Sequence, residues 1–219
     1  MQYTPDISVV IKQWPIIMLG LQMTLYVAAL SMFFALIIGV FIAMLRLSPF
    51  AGVRWIASVY VQFFRGIPQF VFLLWLYYGL ALLFGVNFHP ITAGVIALSV
   101  QYGAYLSEIF RAGIVSIHKG QFEAGESVGL SKPRIYQRII FPQAFRVVLP
   151  PTVNMWISIL KDTALVSVIG VGELMRVTEI QSNFTFRPFE FYTSAALIYV
   201  SLTLIFARLS TLLERRLKA

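Results

Sequence analysis

The sequence predicts an all-α integral membrane protein, and three observations carry that prediction. The 219-residue chain is 59% hydrophobic and only 12% charged, with a mean hydropathy of +0.82; a soluble domain carries roughly 25% charged residues. Its apolar residues fall in runs long enough to cross a hydrocarbon core of about 30 Å as helices. Its basic residues gather in the gaps between those runs, as loops facing anionic lipid do.

Five spans are expected. Residues 16–45 carry no charge and would reach about 45 Å as a helix, so this span tilts or protrudes; Arg46 ends it. Arg65-Gly66-Ile67-Pro68 opens a second apolar run to Val86, with Pro68 tolerated in a first helical turn. The third run, Pro90 to Ser107, continues as a helix through Glu108 and Arg111. The fourth, Gln143 to Val171, is interrupted by Pro150-Pro151 and holds Lys161-Asp162, features that survive at membrane depth only against protein or a polar cavity. The fifth, Phe191 to Ala207, ends in a basic tail, Glu214 to Lys218.

Five spans place the termini on opposite sides. With the C-terminus cytoplasmic, 12 of the 17 Lys and Arg lie inside and Lys12, Arg176 and Arg187 lie outside. The expected orientation is N-terminus out and C-terminus in. The first residues lack a basic region ahead of an apolar core, so no cleaved signal peptide is expected. A single domain, 1–219, is expected throughout.

The same composition excludes several chemistries. The chain has no cysteine, hence no disulfide or thiol chemistry, and His89 and His118 are too far apart in sequence to suggest a metal cluster. The net charge of +8 is spread between apolar runs and suggests no nucleic-acid partner. No G-x-x-x-x-G-K-[ST] phosphate loop is present, so any ATP hydrolysis belongs to a partner. No nucleophile–base pair stands out, and no enzyme activity is expected.

The most polar stretch is 123–142, EAGESVGLSKPRIYQRIIFP. Gln121 to Val128 reads as a short helix with Glu123 in its first turn, ended by Gly129 at C′. Ser131 reads as the N-cap of a second helix that has Pro133 in its first turn. Ile135, Tyr136, Ile139 and Ile140 make an apolar face, and Pro142 marks a turn into the fourth span. Two readings are open: an elbow that inserts into a groove on another protein, or amphipathic helices resting on the membrane.

Two polar stripes suggest a binding surface. Asn154, Ser158 and Asp162 recur at i, i+4 and i+8 and share a helical face, flanked by Trp156 and Leu160. Gln101, Tyr105 and Glu108 form a second stripe, with Tyr102 adjacent. Asp162 suits an ammonium group, and Asn154 or Ser158 could hydrogen-bond either end of an amino acid. Such stripes also hold helices together, and Glu108–Arg111 at i, i+3 reads as a structural ion pair.

Glu123-Ala124-Gly125, Gly129 and Ile139-Ile140-Phe141-Pro142 resemble the EAA loop of ABC importer permeases: E-A-A, three residues, G, nine residues, I-x-L-P. Gly125 stands where that pattern has alanine and should loosen the first helix by up to about 1 kcal/mol. FRGIPQF (64–70), AYLSEIFRAGI (104–114), PQAFRVVLPP (142–151) and LKDTALVSVIG (160–170) resemble the polar amino acid branch of that family, so the likeness covers nearly the whole chain. It implies a five-span type I ABC importer permease (MetI-like) fold in a bacterial inner membrane. It also implies an EAA coupling loop at about 118–142, with Glu123, Ala124, Gly125, Gly129, Leu130 and Pro142 contacting the ATPase. Gln101, Tyr102, Asn154, Trp156, Ser158, Leu160 and Asp162 become the expected substrate residues. The implied partners are a second permease subunit (identical or related), two ATP-binding cassette ATPases, an extracytoplasmic amino acid-binding protein and membrane lipid. No cofactor is implied for this chain, ATP and Mg²⁺ residing on the ATPases. The alternative is an ion-coupled secondary amino acid transporter.

Overall fold

A computed structural model describes residues 4–218, with side chains described as far as Leu212. Every regular element among the described residues is helical. They are α1 (Ser8–Lys12), α2 (Trp14–Arg46), α3 (Ala51–Gly66), α4 (Gln69–Leu74), α5 (Leu80–Phe84), α6 (Pro90–Val115), α7 (Lys119–Ser127), α8 (Lys132–Ile135), α9 (Phe141–Asp162), α10 (Leu174–Thr185) and α11 (Pro188–Lys218). A π-helical turn, Trp75–Gly79, joins α4 to α5, another, Tyr136–Ile140, joins α8 to α9, and a 3₁₀ segment, Thr163–Ile169, follows α9.

The all-helical membrane architecture stands, but the expected five spans do not emerge from length and apolarity. Trp14–Arg46, Lys132–Ile169 and Pro188–Leu212 are long and apolar enough to cross a membrane, and Ala51–Gly66 with Gln69–Phe84 make a fourth if that broken pair counts as one. At 26 residues α6 is about 39 Å long, yet Ser99, Gln101 and Ser107 dilute its apolar content. The stretch between Arg46 and Arg65, expected as a loop, is mostly α3. Its apolar side chains Trp55, Ile56, Val59 and Phe63 are exposed while Ala57 and Val61 are buried, and at 16 residues it is shorter than the roughly 20 that a span needs.

Three local expectations are corrected. Pro68 does not lie inside a helical turn: it precedes α4 in extended conformation, φ −60° and ψ 133°. Pro150 and Pro151 do not interrupt the fourth span, because α9 runs through both. Proline withholds a donor from the i−4 carbonyl, here those of Arg146 and Val147, a loss that membrane helices tolerate; Thr152 Oγ1 bonds the next carbonyl, that of Val148, at 2.8 Å. Pro142 marks no turn either. Helix continues from α8 through the π turn into α9, the wider turn falling just before the residue that lacks an N–H.

The chain divides into two compact units. One comprises Met1–Phe33, Ile67–Ser99 and Trp156–Phe206. Its core holds Val10, Ile17, Leu174 and Phe191. Glu173, fully buried, caps α10: its carboxylate accepts from the backbone N–H of Arg176 (2.7 Å) and Met175 (2.9 Å). It also accepts from Tyr199 Oη of α11 (3.0 Å) and Thr24 Oγ1 of α2 (3.4 Å), while Thr24 Oγ1 itself accepts from the Leu174 N–H (3.1 Å). Burial pushes this carboxyl above its ordinary pKa, and the four donors oppose that shift.

The other unit comprises Phe34–Gly66, Val100–Met155 and Ala207–Ala219. The expected Glu108–Arg111 pair forms at 2.5 Å, and Arg46 at the end of α2 joins the same carboxylate. Tyr60 of α3 donates to the Val100 carbonyl of α6 at 2.7 Å, and the Arg65 guanidinium lies 5.3 Å from the Tyr105 ring centroid. These contacts seat α3 along α6.

Candidate coupling elbow and substrate residues

The elbow takes the shape its capping residues dictate. Gly129 is left-handed at φ +75°, the conformation for which a residue without Cβ is suited. The Leu130 N–H bonds the Gly125 carbonyl at 3.1 Å and the Gly129 N–H bonds the Glu126 carbonyl at 2.9 Å, the Schellman pairing that satisfies the last carbonyls of a helix. Ser131 stands at the N-cap of α8 in extended conformation, without a side-chain cap bond.

The first helix of the elbow starts earlier than expected. It spans Lys119–Ser127, so Glu123 lies in mid-helix and not in the first turn. His118 caps it, Nδ1 accepting from the Gly120 N–H at 3.1 Å; the sequence signal, a side-chain acceptor two residues before an N–H, is unusual for His and was not anticipated. The two arms pack tightly. A Cβ on Gly125 would stand 2.8 Å from Ile135 Cγ1 and 3.2 Å from Ile139 Cδ1. Tyr136 sits 5.9 Å from both the Phe122 and the Phe141 ring centroids. Gln143 Nε2 donates to Gln121 Oε1 at 3.3 Å, tying α9 to α7.

Glu123, Ala124 and Gly129 are exposed, Leu130 is half-buried, Gly125 is buried between the arms and Pro142 is exposed in the first turn of α9. Beside Gly129, Val128 is an apolar side chain 75% exposed. Sequence reading passed over it because valine at a helix end looks like an ordinary apolar contact.

The expected substrate residues divide between the two units. Gln101, Tyr102 and Asn154 belong to one; Trp156, Ser158, Leu160 and Asp162 belong to the other. Gln101 and Tyr102 are buried on α6, and Tyr102 lies 6.0 Å from the Tyr105 ring. Asn154 is exposed, Ser158 and Asp162 are half-buried, and continuous α-helix keeps these three on one face. Asp162 is the last residue of α9, so the charge pair Lys161-Asp162 falls where α-helix gives way to 3₁₀.

Leu160 is buried and offers only packing. The Trp156 ring stands edge-on to Phe206 at 5.6 Å, while its indole N–H is buried with no hydrogen-bond partner among the described residues. Gln69 was not singled out individually from the sequence. Its amide oxygen and nitrogen are both buried without a partner among the described residues, in the same unit as Trp156 and Asp162. Its one sequence signal is its place in FRGIPQF. Among the described residues no group of three His, Cys, Asp or Glu could hold a metal ion.

Residues 35–219 match a protein family described as the binding-protein-dependent transport system inner membrane component. The arginine transport system permease protein of Bacillus subtilis is 38% identical over 98% of this chain and 98% of its own length. The glutamine transport system permease protein of Escherichia coli is 36% identical over 97% of this chain and 98% of its own. Among solved structures, an amino acid ABC transporter crystallised with histidines superposes with a TM-score of 0.93 at 40% identity, covering 98% of this chain and 100% of that one. An inward-facing methionine ABC transporter superposes with a TM-score of 0.80 at 18% identity, covering 94% and 98%, a likeness of fold alone.

Proposed function

Because this chain belongs to the family of binding-protein-dependent transport system inner membrane components, a family of multi-pass permease subunits and not of enzymes, we propose that it is the permease subunit of an ATP-driven importer for a polar amino acid. Relatives named for arginine and glutamine transport support the substrate class. Family membership favours this reading over an ion-coupled transporter.

The observation that carries the coupling role is the elbow itself. A Schellman turn at Gly129 presents exposed Val128 at the tip, while Gly125 and Ile135 lock the two arms. A stiff, apolar-tipped elbow suits a cleft in a nucleotide-binding partner. The π turn then carries it without a loop into α9, the helix that bears Asn154, Ser158 and Asp162. Closure of two ATPases around ATP and Mg²⁺ would move two such elbows, one on this chain and one on a second permease subunit, identical or related. Alternating access follows if docking differs between the ATPase states. An extracytoplasmic binding protein delivers the amino acid.

The substrate residues in this reading are, in one unit, Asp162 for the ammonium with Ser158, Gln69 and the unspent Trp156 N–H, and, in the other, Gln101, Tyr102 and Asn154 as hydrogen-bonding groups. The whole chain acts as one permease domain, with N-terminus outside and C-terminus cytoplasmic by the distribution of Lys and Arg.

The test is reconstitution with the cognate ATPase and binding protein. Vesicles should accumulate labelled amino acid with ATP inside and lose uptake when the binding protein is omitted. The chain without its ATPase should hydrolyse no ATP. Uptake by the chain alone under an ion gradient would overturn the proposal.

A further inference from the structure

An apolar groove of about 550 Å³ lies in the unit that carries the elbow, between α2, α6 and α9. Its floor is Ala43 and Ala144, both buried; its rim is Met44, Phe141 and Phe145, all exposed. The hydroxyl of Thr152 in its wall is already turned onto the Val148 carbonyl. A polar solute would find no partner there, so the occupant is apolar. The groove is within the range of small-molecule sites, roughly 300–1,000 Å³, and its α2 wall belongs to a charge-free run at bilayer depth.

The end of the groove has a different character. α2 ends at Arg46, two residues past Met44; Arg111 follows Phe110 of the lining; Arg146 follows Phe145. Against these three cations the same helix ends carry one carboxylate, Glu108, which pairs with Arg46 and Arg111. Arg146 is exposed, and the Arg111 Nε–H is buried with no hydrogen-bond partner among the described residues. An apolar slot that ends in excess positive charge fits a tail joined to an anionic head.

A second copy of the chain fits less well. Helices that associate in membranes meet through small residues that let backbones approach. Here the small residues form the floor and the rim is bulky. The slot is built rather than left over: a Cβ on Gly113 would collide with Val148, so glycine sets the spacing of α6 and α9. We propose that this groove is a binding site for an anionic phospholipid, with an acyl chain in the slot and the phosphate over Arg146 and Arg111.

Phe145→Trp places a fluorescent reporter on the rim of the assembled, reconstituted transporter; Met44→Trp serves if that variant fails to assemble. Its emission, after subtraction of the unsubstituted transporter, is read in phosphatidylcholine vesicles titrated with phosphatidylglycerol or phosphatidylcholine brominated on the acyl chains. Brominated phosphatidylglycerol should quench with roughly fivefold higher apparent affinity, the preference expected for one basic side chain against one anionic head. Adding Arg146→Gln should bring the two lipids close to equality. Equal quenching by both lipids in the Arg146 transporter would overturn the proposal. So would no quenching by either together with a disulfide between two Phe145→Cys chains, which would put a second copy in the groove.

Discussion

Gly125 and Ile135 meet so closely across the elbow that a methyl group on the glycine would lie 2.8 Å from Ile135 Cγ1. Helix propensity alone favours alanine at 125 by about 1 kcal/mol, and the EAA pattern has alanine there. Overpacking a buried contact costs about 1–3 kcal/mol, and Ile135 is fully buried. Gly125→Ala is therefore expected to loosen the elbow by up to about 2 kcal/mol, seen as faster amide exchange over residues 119–140. Ile135→Ala should relieve part of that in the double variant; strictly additive effects would mean that the two residues do not compete for space.

Gly129→Ala meets no atom within 4 Å, so its effect is conformational. Holding a residue with Cβ at positive φ costs roughly 1–2 kcal/mol, and Asn should be milder than Ala. Gly129→Trp adds bulk at the tip and is expected to uncouple transport from hydrolysis or release the ATPase. Co-purification and ATP turnover per amino acid imported decide; a fully coupled complex would place the docking surface elsewhere.

Asp162→Asn keeps shape and removes charge at the last residue of α9. ATP-driven uptake or its selectivity should change while the complex still purifies intact. Unchanged kinetics and substrate range would remove Asp162 from the substrate path.

Glu173→Ala strands the Tyr199 and Thr24 hydroxyls and the first N–H groups of α10. Each buried donor left unmade costs about 1–3 kcal/mol, so a fall in thermal midpoint is expected together with faster proteolysis within 170–187. Glu173→Gln retains one acceptor oxygen and should fall between Ala and Glu.

Glu108→Ala leaves Arg46 and Arg111 facing each other without their shared carboxylate. Both are partly shielded from solvent, so the loss is expected near 2 kcal/mol, between exposed pairs and buried ones. Glu108→Ala with Arg46→Leu should recover part of it. Thermal unfolding in detergent measures both.

The local features were legible in the sequence because local chemistry specifies them. A charge-free run must be helical in lipid, Gly129 is suited to a left-handed C′ position, and Glu108 reaches Arg111 one turn away. The course of α9 through Pro150-Pro151 was misread because proline's local penalty is visible in sequence while the packing that lets a membrane helix absorb it is not. The α3 helix was missed because only ten residues separate Arg54 from Arg65, too few to suggest a span.

For the candidate site, the sequence by itself placed Asn154, Ser158 and Asp162 on one helical face and spaced the elbow from Glu123 to Pro142. Those are consequences of 3.6 residues per turn and of capping. Only the tertiary structure decided that Gly125 is compelled by Ile135, that Arg46 joins Glu108 from 62 residues away, and that Glu173 gathers four donors from three helices. The physical reason is distance along the chain: close approach, shared charge and burial arise between residues that no local pattern connects.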